Sequence, residues 1–229
     1  MRARKEDRNV PAAVERELGR LIPAWPDAAR LCVALSGGVD SVALLAACAR
    51  LRMRHPAVRL RAIHVHHGLQ PEADDWQRRC EDLCLRLDVS LEIVRLDLAP
   101  RRGESVEAAA RDARYAALAA RLAPGEALLT AHHEDDQLET VLLQLCRGAG
   151  VAGLAAMPAR AALGPGLHLR PMLGLGRDSI HGFARAIGLA WVDDPMNDAP
   201  RFDRGYLRRQ VTPALRARWP AVARSVGRA

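Results

Sequence analysis

Arg30, Leu31, Cys32, Val33, Ala34, Leu35, Ser36, Gly37, Gly38, Val39, Asp40, Ser41 is the stretch from which the rest of the chain can be read. From Arg30 to Leu35 it is a compact, mostly apolar run. Ser36, Gly37 and Gly38 end that run, and Val42, Leu44, Leu45, Ala46, Cys48 and Ala49 then recur at helical spacing to about Met53. Strand, glycine turn, helix is one unit of an α/β sheet. The alternation repeats outward, with strands expected over 58–65, 91–98 and 127–131 and helices over 71–87, 104–122 and 134–146. Elements of these lengths in this order imply a doubly wound parallel sheet covered on both faces. Ligands of such a sheet sit outside the carboxyl ends of its strands. Three polar clusters fall there: Ser36 to Ser41, His64 to Gly68, and His132 to Asp136.

Around this body lie a helical lead-in over 1–29, broken by Pro23 and Pro26, and a basic tail over 201–229, leaving 30–200 as the main domain. Between 147 and 165 glycine, alanine and proline predict a long loop, followed by a short strand over 167–169 and a helix over 177–187. A chain of 229 residues buries a substantial core. Its longest apolar run, Val42 to Ala49, is too short to cross a bilayer, and its charged N-terminus leads into no hydrophobic stretch, so a cytoplasmic protein with no membrane partner is expected. The five cysteines form no CxxC pair, which argues for reduced, mostly buried thiols. Only Lys5 is lysine, so a phosphate-loop lysine, a kinase strand lysine and an internal Schiff base are all excluded.

The net charge of +7 resides in the tail, where eight arginines between 201 and 229 face one acid, Asp203. Such density suits a polyanion, nucleic acid before lipid, although a solvated basic helix has the same composition. Aromatic residues are only 3% of the chain, so base-stacking platforms are not expected.

Ser36 to Ser41 has the composition of a phosphate cradle made without lysine. Glycines let backbone N–H groups approach an anion, serine hydroxyls can donate to it, and the helix start adds a positive dipole end. Asp40 fits beside a polyphosphate if it holds Mg²⁺ or accepts from a ligand group. The plainer alternative is a glycine turn whose helix is capped by Ser36 or Asp40. Downstream, Asp135 and Glu139 are four apart and Asp136 and Glu139 three apart, so a helix from Glu134 carries its carboxylates on one face. That face needs a cation, such as Mg²⁺ or a substrate amine, unless the acids merely satisfy the helix dipole. His64, His66, His67, His132 and His133 lack the spacing of a hydrolase metal site, and packing or nucleotide contacts suit them better. Gly148, Gly150 and Gly153 match GxGxxG but follow a helix rather than a strand, which removes the dinucleotide reading.

The segment Ser36 to Ser41 resembles the PP-loop of the N-type ATP pyrophosphatases. Within that group the chain resembles the tRNA(Ile)-lysidine synthetases through Ile63 to Leu69, through Glu107 with Arg111, Arg114 and Tyr115, and through Ala131 to Thr140. The resemblance continues through Arg147, Gly148, Gly150, Gly153, Leu154 and Met157, then Arg170, Pro171 and Leu173, and spans about 30–210 in order. It implies an adenine nucleotide alpha hydrolase-like fold and a carbon–nitrogen ligase. Such a ligase adenylates the C2 oxygen of the wobble cytidine in a CAU-anticodon isoleucine tRNA and joins free L-lysine there. The implied roles are ATP binding by Ser36, Gly37, Gly38, Val39, Asp40, Ser41, His66 and Arg111; catalysis by Asp40, Asp136 and Glu139; and tRNA binding by Arg114, Arg204 and Arg208. Asp40 is the metal ligand. On residues alone, Arg111 and Arg114 read equally as an exposed ion-pair face.

A homodimer is a further expectation. Met196 before Asn197, and Gly205 after Arg204, depart from the family pattern. The resembled proteins continue into further domains, so a short or truncated form is implied. Two alternatives stand beside the ligase: a PP-loop tRNA thiolase, and a catalytically weak tRNA-binding remnant.

Overall fold

The computed structural model describes residues 9–23, 25–27, 29–66, 72–96, 106–193 and 203–228. In chain order these form α1 (Val10–Leu21), β1 (Arg30–Ala34), α2 (Val39–Arg54), β2 (Arg59–His66), α3 (Ala73–Arg86), β3 (Ser90–Arg95), α4 (Val106–Ala119), β4 (Ala127–Leu129) and α5 (Glu134–Cys146). A 3-10 turn (Gly153–Ala155), β5 (Arg160–Leu163), β6 (Gly166–Leu169) and α6 (Arg177–Ala186) follow. The basic tail is helical. In it α7 (Asp203–Tyr206) runs through a π-helical turn (Leu207–Val211) into α8 (Thr212–Arg218), and α9 (Val222–Val226) closes the chain.

One sheet has the order β3-β2-β1-β4-β6-β5. Every pairing is parallel except β5 with β6. The sheet is therefore mixed at one edge, where an all-parallel sheet was expected. Alternation in β1 shows why both faces are covered: Leu31, Val33 and Leu35 enter one apolar cluster while Cys32 enters the other. Helix α2 is buried along nearly its whole length, packed on the sheet and against α1 and α6. Its alanines allow close approach, and its fully buried Leu44, Leu45 and Leu51 stabilise the fold by roughly 2 kcal/mol each. Val10, Val14 and Leu18 of α1 lie in the same cluster, so the lead-in is packed into the main core.

The loop expected over 147–165 is corrected by the 3-10 turn and by β5. The sequence Arg160, Ala161, Ala162, Leu163 has little strand propensity, and its order comes from pairing with β6. Gly164, at φ +54°, and Pro165 make the two-residue turn between the strands. Expected strand 91–98 ends at Arg95, and 97–105 lies outside the described residues. The expected boundary between 200 and 201, the Met196–Asn197 pair, and His67 to Leu69 are outside them as well.

Close approach of β6 to the residue before β4 requires glycine at 166, because a Cβ there would lie 2.3 Å from the Glu126 carbonyl oxygen. Gly166→Ala is expected to destabilise the chain by about 1–3 kcal/mol in urea unfolding. An unchanged midpoint would mean that β6 does not sit at this register.

Candidate active site

Strand order reverses between β1 and β4, so the segments leaving their carboxyl ends part and open a crevice between them. The glycine turn forms one wall. Gly37 adopts φ +90°, and a Cβ on it would meet Cys80 Sγ at 3.3 Å. Val192 N–H donates to Gly37 O at 2.9 Å, which pins the turn to the segment after α6. Gly38 is the N-cap of α2 and no side chain caps the helix, so capping by Ser36 or Asp40 is not realised. The first-turn N–H groups of α2 have no intrahelical acceptor and open toward the crevice. Ser41 Oγ donates to Gly38 O at 2.9 Å, and Ser36 Oγ lies 3.0 Å from Ser41 Oγ. The two hydroxyls brace the loop and also accept from the N–H groups of Ser36 (3.2 Å) and Gly38 (3.4 Å), leaving those of Gly37 and of the first turn of α2 as candidate donors to an anion.

The start of α5 forms the opposite wall. His133 is its N-cap: its ring accepts from Asp135 N–H at 3.2 Å, and its own N–H donates to Asp136 Oδ2 at 2.9 Å. A histidine in this role is outside the usual capping set. Asp40, Asp135, Asp136 and Glu139 line one cavity of about 320 Å³ with His133, Arg177, Arg208 and Arg216. The carboxylates expected on one helix face are thus together, and Asp40 joins them from across the crevice.

Sequence reasoning assigned the counter-charge to Mg²⁺ or a substrate amine, but the structure supplies cations of its own. Arg208 grips Glu139 with both Nε (2.8 Å) and Nη2 (3.0 Å), a bidentate pair. Arg204 donates to Thr140 Oγ1 at 3.1 Å and lies 3.6 Å from Glu139. Arg216 pairs with Asp135, and Arg224 with Glu134 at 3.4 Å. Four of the seven described arginines of the tail are therefore engaged with α5. Arg204 and Arg208, read from sequence as RNA contacts, make these internal bonds.

His133 was not in the sequence-derived site. Burial disfavours its charge, yet Asp136, Asp40 and Asp135 outweigh that and push its pKa up to about 9. The carboxylates favour imidazolium, which cannot accept from Asp135 N–H; at 3.2 Å that contact is the weaker claim on the ring. Asp40 is in turn held low: burial raises its pKa, but His133, His181 and Arg177 more than offset this. Glu139 is only 1% exposed, and burial raises its pKa against the opposing Arg208. Arg177 and His181, also missed, are one turn apart on α6, and their i,i+4 spacing was the available signal.

Asp40 Oδ1 is buried and has no hydrogen-bond partner among the described residues. A divalent cation beside it would satisfy that oxygen. Among the described residues no set of three or more His, Cys, Asp or Glu could hold a metal ion. The residues therefore fit Mg²⁺ bound through one carboxylate, with phosphate oxygens and water as its other ligands.

Other expected residues lie around the same end of the sheet. His66 is buried 3.2 Å from Asp74, and His64 Nδ1 donates to Leu35 O at 2.8 Å. Arg111 and Arg114 lie 5.1 and 5.6 Å from the Tyr115 ring centre. Of the five thiols, only Cys146 is exposed. Among the described residues no helix is long and apolar enough to cross a membrane.

A family model described as a PP-loop domain matches residues 11–215. The tRNA(Ile)-lysidine synthase of Methylococcus capsulatus is 52% identical over 196 residues, covering 86% of this chain and 44% of that protein. That of Pseudomonas aeruginosa is 46% identical over 220 residues, covering 96% and 49%. The chain spans about half the length of the curated relatives it matches. Among solved structures, a U34-tRNA thiolase from Methanococcus maripaludis with its 4Fe-4S cluster has a TM-score of 0.75 at 18% identity, covering 98% of this chain and 77% of that one. An NMN synthetase from Francisella tularensis has a TM-score of 0.53 at 10% identity, covering 96% and 92%. At these identities the likeness is one of fold.

Because its folded pKa is raised, His133 contributes stability that is complete below about pH 6.5 and lost as pH rises through about 9. The urea midpoint is expected to fall across that window, and to fall much less in His133→Asn, which keeps a capping acceptor. Equal slopes would remove the assignment. Arg208→Ala strands a buried carboxylate and is expected to cost about 3 kcal/mol, mostly recovered by adding Glu139→Gln. Chemical denaturation of the two variants would decide it.

Proposed function

The chain belongs to the PP-loop domain family, and from that premise we propose that it is the ATP-using portion of a lysidine-forming tRNA ligase. One observation carries the reading: the glycine turn and the acidic start of α5 face each other across a single cavity at the sheet's switch point. The identity to tRNA(Ile)-lysidine synthases along most of the chain supports it.

In this reading ATP lays its phosphates on the N–H groups of Gly37 to Ser41, with Ser36 shaping the loop and His66 and Arg111 flanking the nucleotide. Mg²⁺, held through Asp40, supplies charge neutralisation on the phosphates. The C2 oxygen of the wobble cytidine attacks the α-phosphorus, and the bond to the β-phosphate bridging oxygen breaks to release pyrophosphate. Free lysine then attacks C2 through its ε-amine, the bond from C2 to the adenylated oxygen breaks, and AMP leaves carrying that oxygen on its phosphate. The amine must lose a proton before it attacks. Asp136 and Glu139 would position it, Glu139 only on yielding its pair with Arg208. Arg114, Arg204 and Arg208 are the proposed RNA-facing cations.

The thiolase alternative is weaker. Among the described residues there is no set of three His, Cys, Asp or Glu for a cluster, and four of the five cysteines are buried.

Incubating the chain with ATP, a CAU-anticodon isoleucine tRNA and isotopically labelled lysine is expected to add one lysine mass to the tRNA. Exchange of pyrophosphate into ATP should require tRNA but not lysine. Asp40→Asn should lower that exchange about a hundredfold. Undiminished exchange in the variant would remove Asp40 from the site, and a parallel incubation with sulfide in place of lysine that exchanged one tRNA oxygen for sulfur would support the thiolase.

A further inference from the structure

A second polar group stands beside the crevice and has no part in the reading above. The register sets Leu129 of β4 opposite Val33 of β1, so three residues further on His132 leaves its strand level with Ser36 of the glycine turn. His132 Nδ1 is 2.8 Å from Thr130 Oγ1, which is 2.8 Å from His168 Nε2. His168 Nδ1 is in turn 3.2 Å from Arg170 Nη2. These contacts form an unbroken chain of four side chains, with Thr130, His168 and Arg170 all buried.

The direction of each bond follows from its first member. A guanidinium can only donate, so His168 Nδ1 must accept. Burial and the neighbouring arginines Arg170 and Arg111 hold His168 down to about 4, so the ring is neutral and its one proton lies on Nε2. That proton goes to Thr130 Oγ1. The threonine hydroxyl has one proton and no other acceptor among the described residues, so it donates to His132 Nδ1. His132 is left with its proton on Nε2. Burial, followed by Arg170, His168, Arg111 and Arg204, keeps this ring neutral too. Its Nε2 makes no hydrogen bond with the described residues.

The surroundings select what such a donor would meet. Arg111 and Arg114 have no carboxylate partner among the described residues, and Arg170 Nε is buried without an acceptor. Three guanidinium groups without a matching acid among the described residues favour an anion.

We propose that His132 is a dedicated N–H donor to a phosphate oxygen of the bound nucleotide, with its tautomer set by the hydrogen-bond chain from Arg170 through His168 and Thr130. The proposal rests on the nucleotide reading of the glycine turn. His132 would touch the ligand, whereas Thr130, His168 and Arg170 are positioning residues. A neutral imidazole in this place stabilises developing charge without a proton being transferred.

Long-range proton–nitrogen correlation on the whole chain with nitrogen-labelled histidine reads the tautomers directly. His132 and His168 are expected as neutral Nε2–H forms from pH 6 to 8. Thr130→Val should turn His132 into a mixture of tautomers, and Thr130→Ser should restore the single form. Adding the non-hydrolysable α,β-methylene analogue of ATP with Mg²⁺ should shift His132 Nε2 together with the amides of Gly37 to Ser41. In pyrophosphate exchange, His132→Phe should lower kcat about a hundredfold, and Thr130→Val about tenfold, with less effect on KM for ATP. A proton on His132 Nδ1, or an unaltered tautomer in Thr130→Val, overturns the relay. Shifts at Gly37 to Ser41 with none at His132 overturn the donor role alone, and silence at both overturns the nucleotide reading itself.

Discussion

Four carboxylates crowd one cavity at the mouth of the sheet, and the basic tail is arranged to make that tolerable. Glu139 is almost wholly buried and could not stay charged without the bidentate grip of Arg208. Asp135 and Glu134 draw in Arg216 and Arg224 in the same way. The tail helices are short and would be marginal alone, so their position follows from these pairs and from the packing of Leu207 and Ala223. Remove the acids of α5, and the basic tail loses its reason to fold back on the domain.

The same charges organise the chemistry. Asp40 approaches α5 from across the crevice, and His133 sits between it and Asp136, at 3.7 and 3.6 Å. On that side of the glycine turn Asp40 and Asp136 are the carboxylates that no arginine grips among the described residues, and a metal ion or an amine would meet them there. On the other side lie Arg111, Arg114 and Arg170, with acids absent from the hydrogen-bond chain that ends at His132. A nucleotide on the turn would have its cation on one flank and its phosphate oxygens on the other. That polarity arises where β1 and β4 part, because the direction in which successive parallel strands are added reverses there.

Much of this was legible before the structure. Period-two and helical patterns located α5 to the residue and the other main elements within a few residues, because buried elements of a covered sheet need continuous apolar runs. Gly37 and Gly38 announced a turn, since only glycine accepts the positive φ of Gly37 without strain. The i,i+3 and i,i+4 spacing of Asp135, Asp136 and Glu139 put them on one face. Strand β5 was missed because its alanines carry no strand signal and its pairing is made by a neighbour.

By itself, then, the sequence determined the alternating α/β order, the lysine-free glycine turn and the shared face of three carboxylates, since each depends on residues within about one helical turn of one another. Tertiary structure alone decided which cation meets which acid. It set Arg208 on Glu139 across 69 positions, Arg216 on Asp135 across 81, and His168 on Thr130 across 38. A charge or a hydroxyl is blind to sequence distance and responds only to what the packed chain places within bonding reach.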